Sequence, residues 1–341
     1  MISKKSKRFI MGSVVFLIVL LLLPVIVVNV TPSLTALYVR HLFKEPIATT
    51  PPGYDQYSSK VAVHKDLTYP SQYKNNTFNI YMPKAAESKP KPLPTIIWVH
   101  GGAFVGGDKD QIDIYSTVLA SQGYIVLNMN YELAPEATYP APVVQLDEFY
   151  RHIEAIHTKY PIDVHQLFFA GDSAGAQIVS SYVTIQTNSE LANKMGLEQV
   201  VPKNSLKGVL LYCGPYNIEK FNKPNQSAVI RFALNQIAWS YLGTKNWQET
   251  EEANLVSVVH HVNEQFPPAF ITDGNKGSFE DQGKELAAKL VAQQVEVDTL
   301  FFAKDVYETG HEFQFKLDTP PGQQALQATL AFLQKHVAQA K

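Results

Sequence analysis

Ser173 stands in the pentapeptide Gly171-Asp172-Ser173-Ala174-Gly175, directly after the apolar run Phe168–Ala170. Glycines on both sides let the chain turn sharply from strand into helix, which leaves the serine hydroxyl exposed at the edge of a sheet. At the helix N-terminus formed in this way, the amide of Ala174 points toward negative charge developing beside the serine, one half of an oxyanion hole. Upstream, the strand-like run Thr95–Val99 leads into His100-Gly101-Gly102-Ala103-Phe104. Two residues without side chains let backbone amides approach a substrate oxygen, so Gly101 and Gly102 are the expected other half. A serine and a ring of amides suit acyl transfer, in which the hydroxyl attacks a carbonyl whose oxygen the amides hold.

Further segments extend the pattern. Between the two glycine motifs runs Tyr124–Glu136, YIVLNMNYELAPE, followed by Tyr139-Pro140-Ala141, and near the C-terminus Gly310-His311-Glu312-Phe313 follows the strand-like Val295–Phe302. Taken in this order over residues 60 to 335, the set resembles the hormone-sensitive-lipase-like, HGG-containing branch of the α/β-hydrolases. Its YRLAPE element appears here with Glu132 in place of the usual arginine. The resemblance implies an α/β-hydrolase fold: a mostly parallel eight-stranded sheet flanked by helices, with a helical cap. It also implies hydrolysis of carboxylic esters through an acyl-enzyme, with no cofactor.

A free hydroxyl is a weak nucleophile and needs a base. Of the ten histidines, His311 alone lies in a glycine-marked loop between the last strand pattern and a C-terminal helix. The order serine, acid, histidine is also the order this fold requires. The resemblance gives His100 an orienting role in the oxyanion loop. The acid is where the chain departs from its relatives. Pro267–Gly283, PPAFITDGNKGSFEDQG, matches the stretch that carries it, but laid over the pattern without a gap, Gly277 takes the acid's place. Asp273 is the preferred substitute because it ends a strand at the carboxyl edge of the sheet, where sites in open α/β folds are built. Asp281 and Glu280 are the alternatives, and an Asp-Gly turn is a purely structural explanation of Asp273. Asp172 reads as a loop hydrogen-bonder, Cys213 as a small buried hydrophobe, and Glu136 as a partner of the elbow loop or a helix cap. No metal pattern or phosphate-binding glycine loop is present.

Phe9–Val30 is apolar apart from Gly12, Ser13, Pro24 and Asn29, and follows Lys4, Lys5, Lys7 and Arg8. It is long enough to span a bilayer, longer than a signal-peptide core, and lacks a clear small-residue cleavage site. The expectation is therefore a cytoplasmic tail at 1–8, a transmembrane helix at 9–30 and an extracytoplasmic catalytic domain. Secretion after cleavage is the alternative. Residues 31–57 form a linker or cap segment and 58–341 the catalytic domain. The resemblance implies that the insertion at 215–264, rich in aromatics such as Tyr216, Phe221, Phe232, Trp239, Tyr241 and Trp247, forms the cap.

The chain of 341 residues, 45% hydrophobic and 18% charged, can bury one large core. Its net charge of -2 and lack of a basic, aromatic-interleaved stripe argue against nucleic acid, which leaves a small-molecule ester and the membrane as expected partners. One cysteine excludes an internal disulfide, and oligomeric state is not readable. Strands are expected at 60–69, 78–82, 96–100, 125–130, 167–170, 208–212, 269–272 and 296–302. Helices are expected at 146–159, 173–187, 282–293 and 323–338. Two rival functions remain: an amide or peptide hydrolase using the same triad, and a hydrolase-like ligand-binding module, suggested by the missing acid at Gly277.

Overall fold

The computed structural model describes residues 9, 11–13, 16–17, 23–24, 26–88, 91–221 and 227–337. Eight strands form one sheet: β1 (Val61–Thr68), β2 (Thr77–Pro83), β3 (Leu93–Val99), β4 (Ile125–Met129), β5 (Ile162–Asp172), β6 (Leu206–Tyr212), β7 (Ala269–Thr272) and β8 (Val297–Leu300). Their spatial order is β1-β2-β4-β3-β5-β6-β7-β8. The principal helices are α1 (Ser33–Leu42), α2 (Asp113–Ser121), α3 (Ala141–Ile156), α4 (Ala174–Thr187), α5 (Ala228–Leu242), α6 (Glu280–Ala292) and α7 (Pro320–His336).

The sheet is mixed, which corrects the simpler expectation of a mostly parallel one. From β4 through β3 to β8 every pairing is parallel, but β1/β2 and β2/β4 are antiparallel. The link between β1 and β2 carries no crossover helix, and a short connection can only reverse the chain.

The central strands are continuous apolar runs because both of their faces are covered. Alternation sends Ile97, Val99, Leu127, Phe169 and Leu211 to one face, with Leu146 and Phe149 of α3, Val179 of α4 and Leu286 of α6. It sends Ile96, Trp98, Val126, Phe168 and Tyr212 to the other, with Tyr115 of α2 and Phe332 of α7. The element starts that differ most from the sequence pattern are those of α3 and β5. α3 begins at Ala141 because Pro142 sits in the first turn, where its missing N–H costs nothing. β5 begins at Ile162, its first residues pairing with Leu93 and Pro94.

Consecutive strands leave β3 in opposite directions across the sheet, since β4 lies on one side and β5 on the other. A crevice opens at the carboxyl ends where strand order reverses in this way. Val99 is in register with Gly171, Asp172 with Tyr212, and Tyr212 with Thr272. The His-Gly-Gly loop, the serine elbow and Asp273 therefore leave the sheet side by side.

Among the described residues no helix is long and apolar enough to cross a membrane. The basic tail lies outside the described residues, and so does part of the expected span at 9–30. Within that span the described residues are helical, and Phe9, Met11, Phe16, Leu17, Leu23 and Ile26 are exposed. The insertion at 215–264 supplies α5 and buries Tyr216, Phe221, Tyr241 and Trp247 in the main core.

Candidate active site

The elbow forms because no side chain fits at its glycines. A Cβ on Gly175 would lie 2.0 Å from the carbonyl oxygen of Val99, and one on Gly171 would lie 2.5 Å from the backbone of Gly175. β5 and the start of α4 thus pack backbone to backbone against each other and β3. The turn between them holds Ser173 at φ 50°, ψ −118°, a conformation seldom adopted by residues with a side chain. Its amide donates to the carbonyl of Tyr212 at 2.7 Å.

His311 Nε2 lies 2.9 Å from Ser173 Oγ, and its Nδ1 lies 2.6 Å from the hydroxyl of Ser278. Ser278 Oγ in turn donates to Asp273 Oδ1. A hydroxyl has one proton, and here it goes to the carboxylate, so Ser278 accepts from Nδ1–H. The imidazole is thereby held in the tautomer whose Nε2 lone pair faces Ser173. The result is a four-membered chain, Ser173–His311–Ser278–Asp273.

Asp273 is buried at the end of β7, where Gly274 N also donates to Oδ1 at 2.7 Å. Burial raises its carboxyl to about 6, although His311, Ser278 and the Gly274 amide pull the other way. Burial also pushes His311 below the ordinary imidazole range, with Asp273 opposing. Of the three carboxylates considered in the sequence, Asp273 is the one joined to His311 among the described residues. Glu280 pairs with Lys284 at 2.8 Å, and Asp281 is exposed on the first turn of α6. Gly277 adopts φ +63°, a left-handed turn that favours glycine at the position where relatives carry the acid. Ser278 was missed by sequence reasoning. Its only signal was a hydroxyl next to that vacant position.

The oxyanion loop requires one correction. Gly101 was an expected donor, but its amide is already bonded to Asp172 Oδ2 at 2.8 Å. The amides of Gly102, Ala103 and Ala174 have no partner among the described residues. Gly102, Ala103 and Phe104 have φ of 111°, 55° and 63°, a backbone course that can turn successive amides into one concavity. The loop is braced from both sides. His100 stacks on Tyr131 with centroids 4.5 Å apart, and its Nδ1 meets Gly101 O at 2.6 Å. Phe104 stacks on Tyr241 of α5 at 3.8 Å.

Asp172 is the loop hydrogen-bonder its position suggested, and the carboxyl that escaped sequence reasoning is its neighbour Glu312. Asp172 is fully buried, accepting from Trp98 Nε1 at 2.8 Å as well as from Gly101. Glu312 faces Gly101 beside it, and its Oε1 lies 3.7 Å from His311 Nε2. Burial pushes both carboxyls upward; the charge of Glu312 raises Asp172 further, while Lys316 and Asp172 draw Glu312 partly back.

Cys213 Sγ, Asp273 and His311 offer three potential ligand atoms within 4.8 Å of one another. Their bonding does not fit a metal: burial holds the thiol protonated, Sγ donates to Gln314 at 3.1 Å, and Nδ1 is bonded to Ser278. A cleft of about 540 Å³ adjoins the acid loop, lined by Ile230 and Leu234 of α5 and by Ser278, Phe279 and Lys304. A larger one, about 660 Å³, lies between Leu206 and Phe266–Pro268 at the amino ends of β6 and β7, on the opposite edge from Ser173.

Sheet order, elbow and histidine loop together define an α/β-hydrolase, and solved structures agree. Esterase B from Lactobacillus rhamnosis superimposes with a TM-score of 0.69 at 22% identity, over 89% of this chain and 91% of that one. EstE1, a thermostable carboxylesterase cloned from a metagenomic library, gives 0.65 at 19% over 90% and 98%. A bacterial heroin esterase gives 0.65 at 20% over 82% and 86%. Residues 78–290 match the BD-FAE family model, and the chain belongs to the BD-FAE family.

Proposed function

We propose that this chain is a serine carboxylesterase held at a membrane by residues 9–30, with its catalytic domain on the extracytoplasmic side. The observation that carries the catalytic reading is the unbroken chain Ser173–His311–Ser278–Asp273 next to three unbonded amides. The membrane reading rests on the apolar segment, its basic flank and its exposed side chains.

In the proposed reaction, Ser173 Oγ attacks the ester carbonyl while His311 Nε2 takes its proton. The carbonyl oxygen becomes an oxyanion held by the amides of Gly102, Ala103 and Ala174. Ser278, anchored by Asp273, keeps the imidazolium in place by accepting from Nδ1–H. Collapse of the tetrahedral adduct expels the alkoxide, which receives the proton from Nε2, and leaves an acyl-serine. Water, deprotonated by the same nitrogen, then releases the acid and restores Ser173.

The test is turnover of p-nitrophenyl esters from acetate to octanoate, alongside matched amides, by the full chain in detergent, with Ser173→Ala and His311→Ala as controls. Serine-dependent ester cleavage that exceeds amide cleavage is the expected result. Unchanged turnover in either variant would refute the mechanism.

A further inference from the structure

The two faces of α1 meet very different surroundings. Ala36 and Val39 are buried with Val105 and Ala134, and Ala103 packs beside them, so the helix rests on the loop that carries the oxyanion amides. Arg40 ties it down, donating from Nε to Val105 O at 2.6 Å and from a terminal nitrogen to Ala134 O at 3.0 Å. The approach is close enough that a Cβ on Gly106 would lie 2.9 Å from Arg40 Cα. On the opposite side Leu34, Leu37, Tyr38 and Leu42 are 45%, 55%, 66% and 59% exposed. Their spacing of three and four residues gathers them into one stripe. A helix on a water-facing surface turns such a stripe inward, whereas α1 turns it outward.

What covers this stripe is indicated by what precedes it. Residues 26–30 are helical, Ile26 and Val30 are exposed, and only Thr31 and Pro32 separate them from α1. The junction is fastened to the catalytic domain: Gln236 of α5 donates to Val28 O at 3.1 Å, and Lys245 Nζ to Asn29 O at 2.9 Å. A bilayer entered by residues 9–30 would therefore have its surface where α1 begins, with no flexible spacer between them.

We propose that the outer face of α1 lies in the headgroup–acyl boundary of that bilayer, as the apolar face of an interfacial helix does. The inner face of the same helix touches the oxyanion loop, so the catalytic mouth opens within about one helix diameter, roughly 10–12 Å, of the lipid. The substrate class is then an ester dissolved in the bilayer, with chains too apolar to arrive through water. Tyr38, with an apolar ring and a hydroxyl, suits the interface. The proposal rests on the anchored esterase reading and adds the domain's orientation and the route of its substrate.

The experiment uses the full chain in lipid nanodiscs. Cys213 is fully buried, so thiol dyes report introduced cysteines. Leu37→Cys and Tyr38→Cys are labelled separately, with exposed Lys203→Cys as a remote reference, and melting by circular dichroism confirms that each variant is folded. Leu34→Cys and Leu42→Cys replace any that is not. Dyes at 37 and 38 are expected to lose most of their emission when the lipid chains are brominated, while the dye at 203 loses none. Equal emission at all three positions overturns the proposal. So does shielding at 37 and 38 without bromine quenching in a particle of doubled protein mass, which would place a second copy on this face. Failure to enter nanodiscs overturns both the anchor and the docking face. Serine-dependent cleavage of p-nitrophenyl esters by the same samples reports the esterase reading independently.

Discussion

Ser278 Oγ stands 2.6 Å from His311 Nδ1, between the imidazole and the carboxylate of Asp273. A hydroxyl there orients the base as a carboxylate does, but it carries no charge, so the imidazolium is stabilised from one residue further away. Ser278→Ala removes the acceptor from Nδ1 and is expected to lower kcat by about 10²-fold or more, with little change in KM. Because Ser278 and Asp273 act as one unit, adding Asp273→Asn to Ser278→Ala should cost little beyond the larger single effect. Steady-state kinetics of the two single variants and the double variant close the cycle. Multiplying losses would mean that the two residues act separately.

Asp273 also makes stability depend on pH. Its carboxyl is held up to about 6, mainly by burial, against an ordinary value of 3.8. The folded chain therefore binds this proton more tightly than the unfolded chain. That contribution is complete below about pH 4 and is lost as pH rises through about 6, a loss on the order of 3 kcal/mol. Asp273→Asn keeps an acceptor for Ser278 without the buried charge, so it should be more stable than the parent at pH 8 and equal to it near pH 4, though far less active. Urea denaturation at the two pH values decides this, and a pH-independent difference would refute it. His311 is itself held below the usual imidazole range, so the acid limb of kcat/KM should fall below pH 6.5.

The Asp172–Glu312 pair makes two opposite predictions. Asp172 accepts from both Trp98 and Gly101, so Asp172→Asn turns an amide nitrogen toward one of these donors. It should destabilise the fold by about 1–3 kcal/mol and loosen the oxyanion loop, which would show as a lower kcat. Glu312→Gln instead removes the second of two carboxyls that repel each other in a buried site. It should be neutral or stabilising above about pH 7, where the buried Glu312 carboxyl, raised to about 7, becomes charged. Thermal melts of both variants at pH 6 and pH 8 provide the check, and equal destabilisation by both would contradict the account of Glu312 as a buried acid held up by desolvation.

What the sequence revealed and what it concealed follow a physical line. Ser173, His311 and the two glycine motifs were legible because the elbow and the loop demand glycine at fixed spacing, as the 2.0 Å approach at Gly175 explains. The parallel strands were legible as unbroken apolar runs. Ser278 was not, because a serine beside glycine is ordinary loop composition and its role depends on where His311 arrives 33 residues later. The commitment of the Gly101 amide to Asp172 was equally hidden, since it is a contact between loops from neighbouring strands. The outward-facing stripe of α1 was present in the spacing of Leu34, Leu37, Tyr38 and Leu42. Which side of the helix would be buried only the packing of Ala36 and Val39 could decide.

Arg40 separates a structural latch from a surface ion pair. It forms a bidentate pair with Glu136 at 2.9 and 2.7 Å, but half of the Glu136 side chain is exposed, and exposed pairs contribute little. Its bonds to the carbonyls of Val105 and Ala134 are partly buried and fix α1 to the oxyanion loop. Glu136→Gln should therefore leave kcat and melting temperature almost unchanged. Arg40→Ala should lower kcat several-fold by leaving both carbonyls unpaired and freeing the loop. Arg40→Lys should recover little, because a single ammonium cannot reproduce the fork of donors that reaches Val105, Ala134 and Glu136 together. Kinetics and melting curves of the three variants settle the assignment: a loss in Glu136→Gln as large as that in Arg40→Ala would make the ion pair the latch, and full activity in Arg40→Lys would reduce the residue to a positive charge.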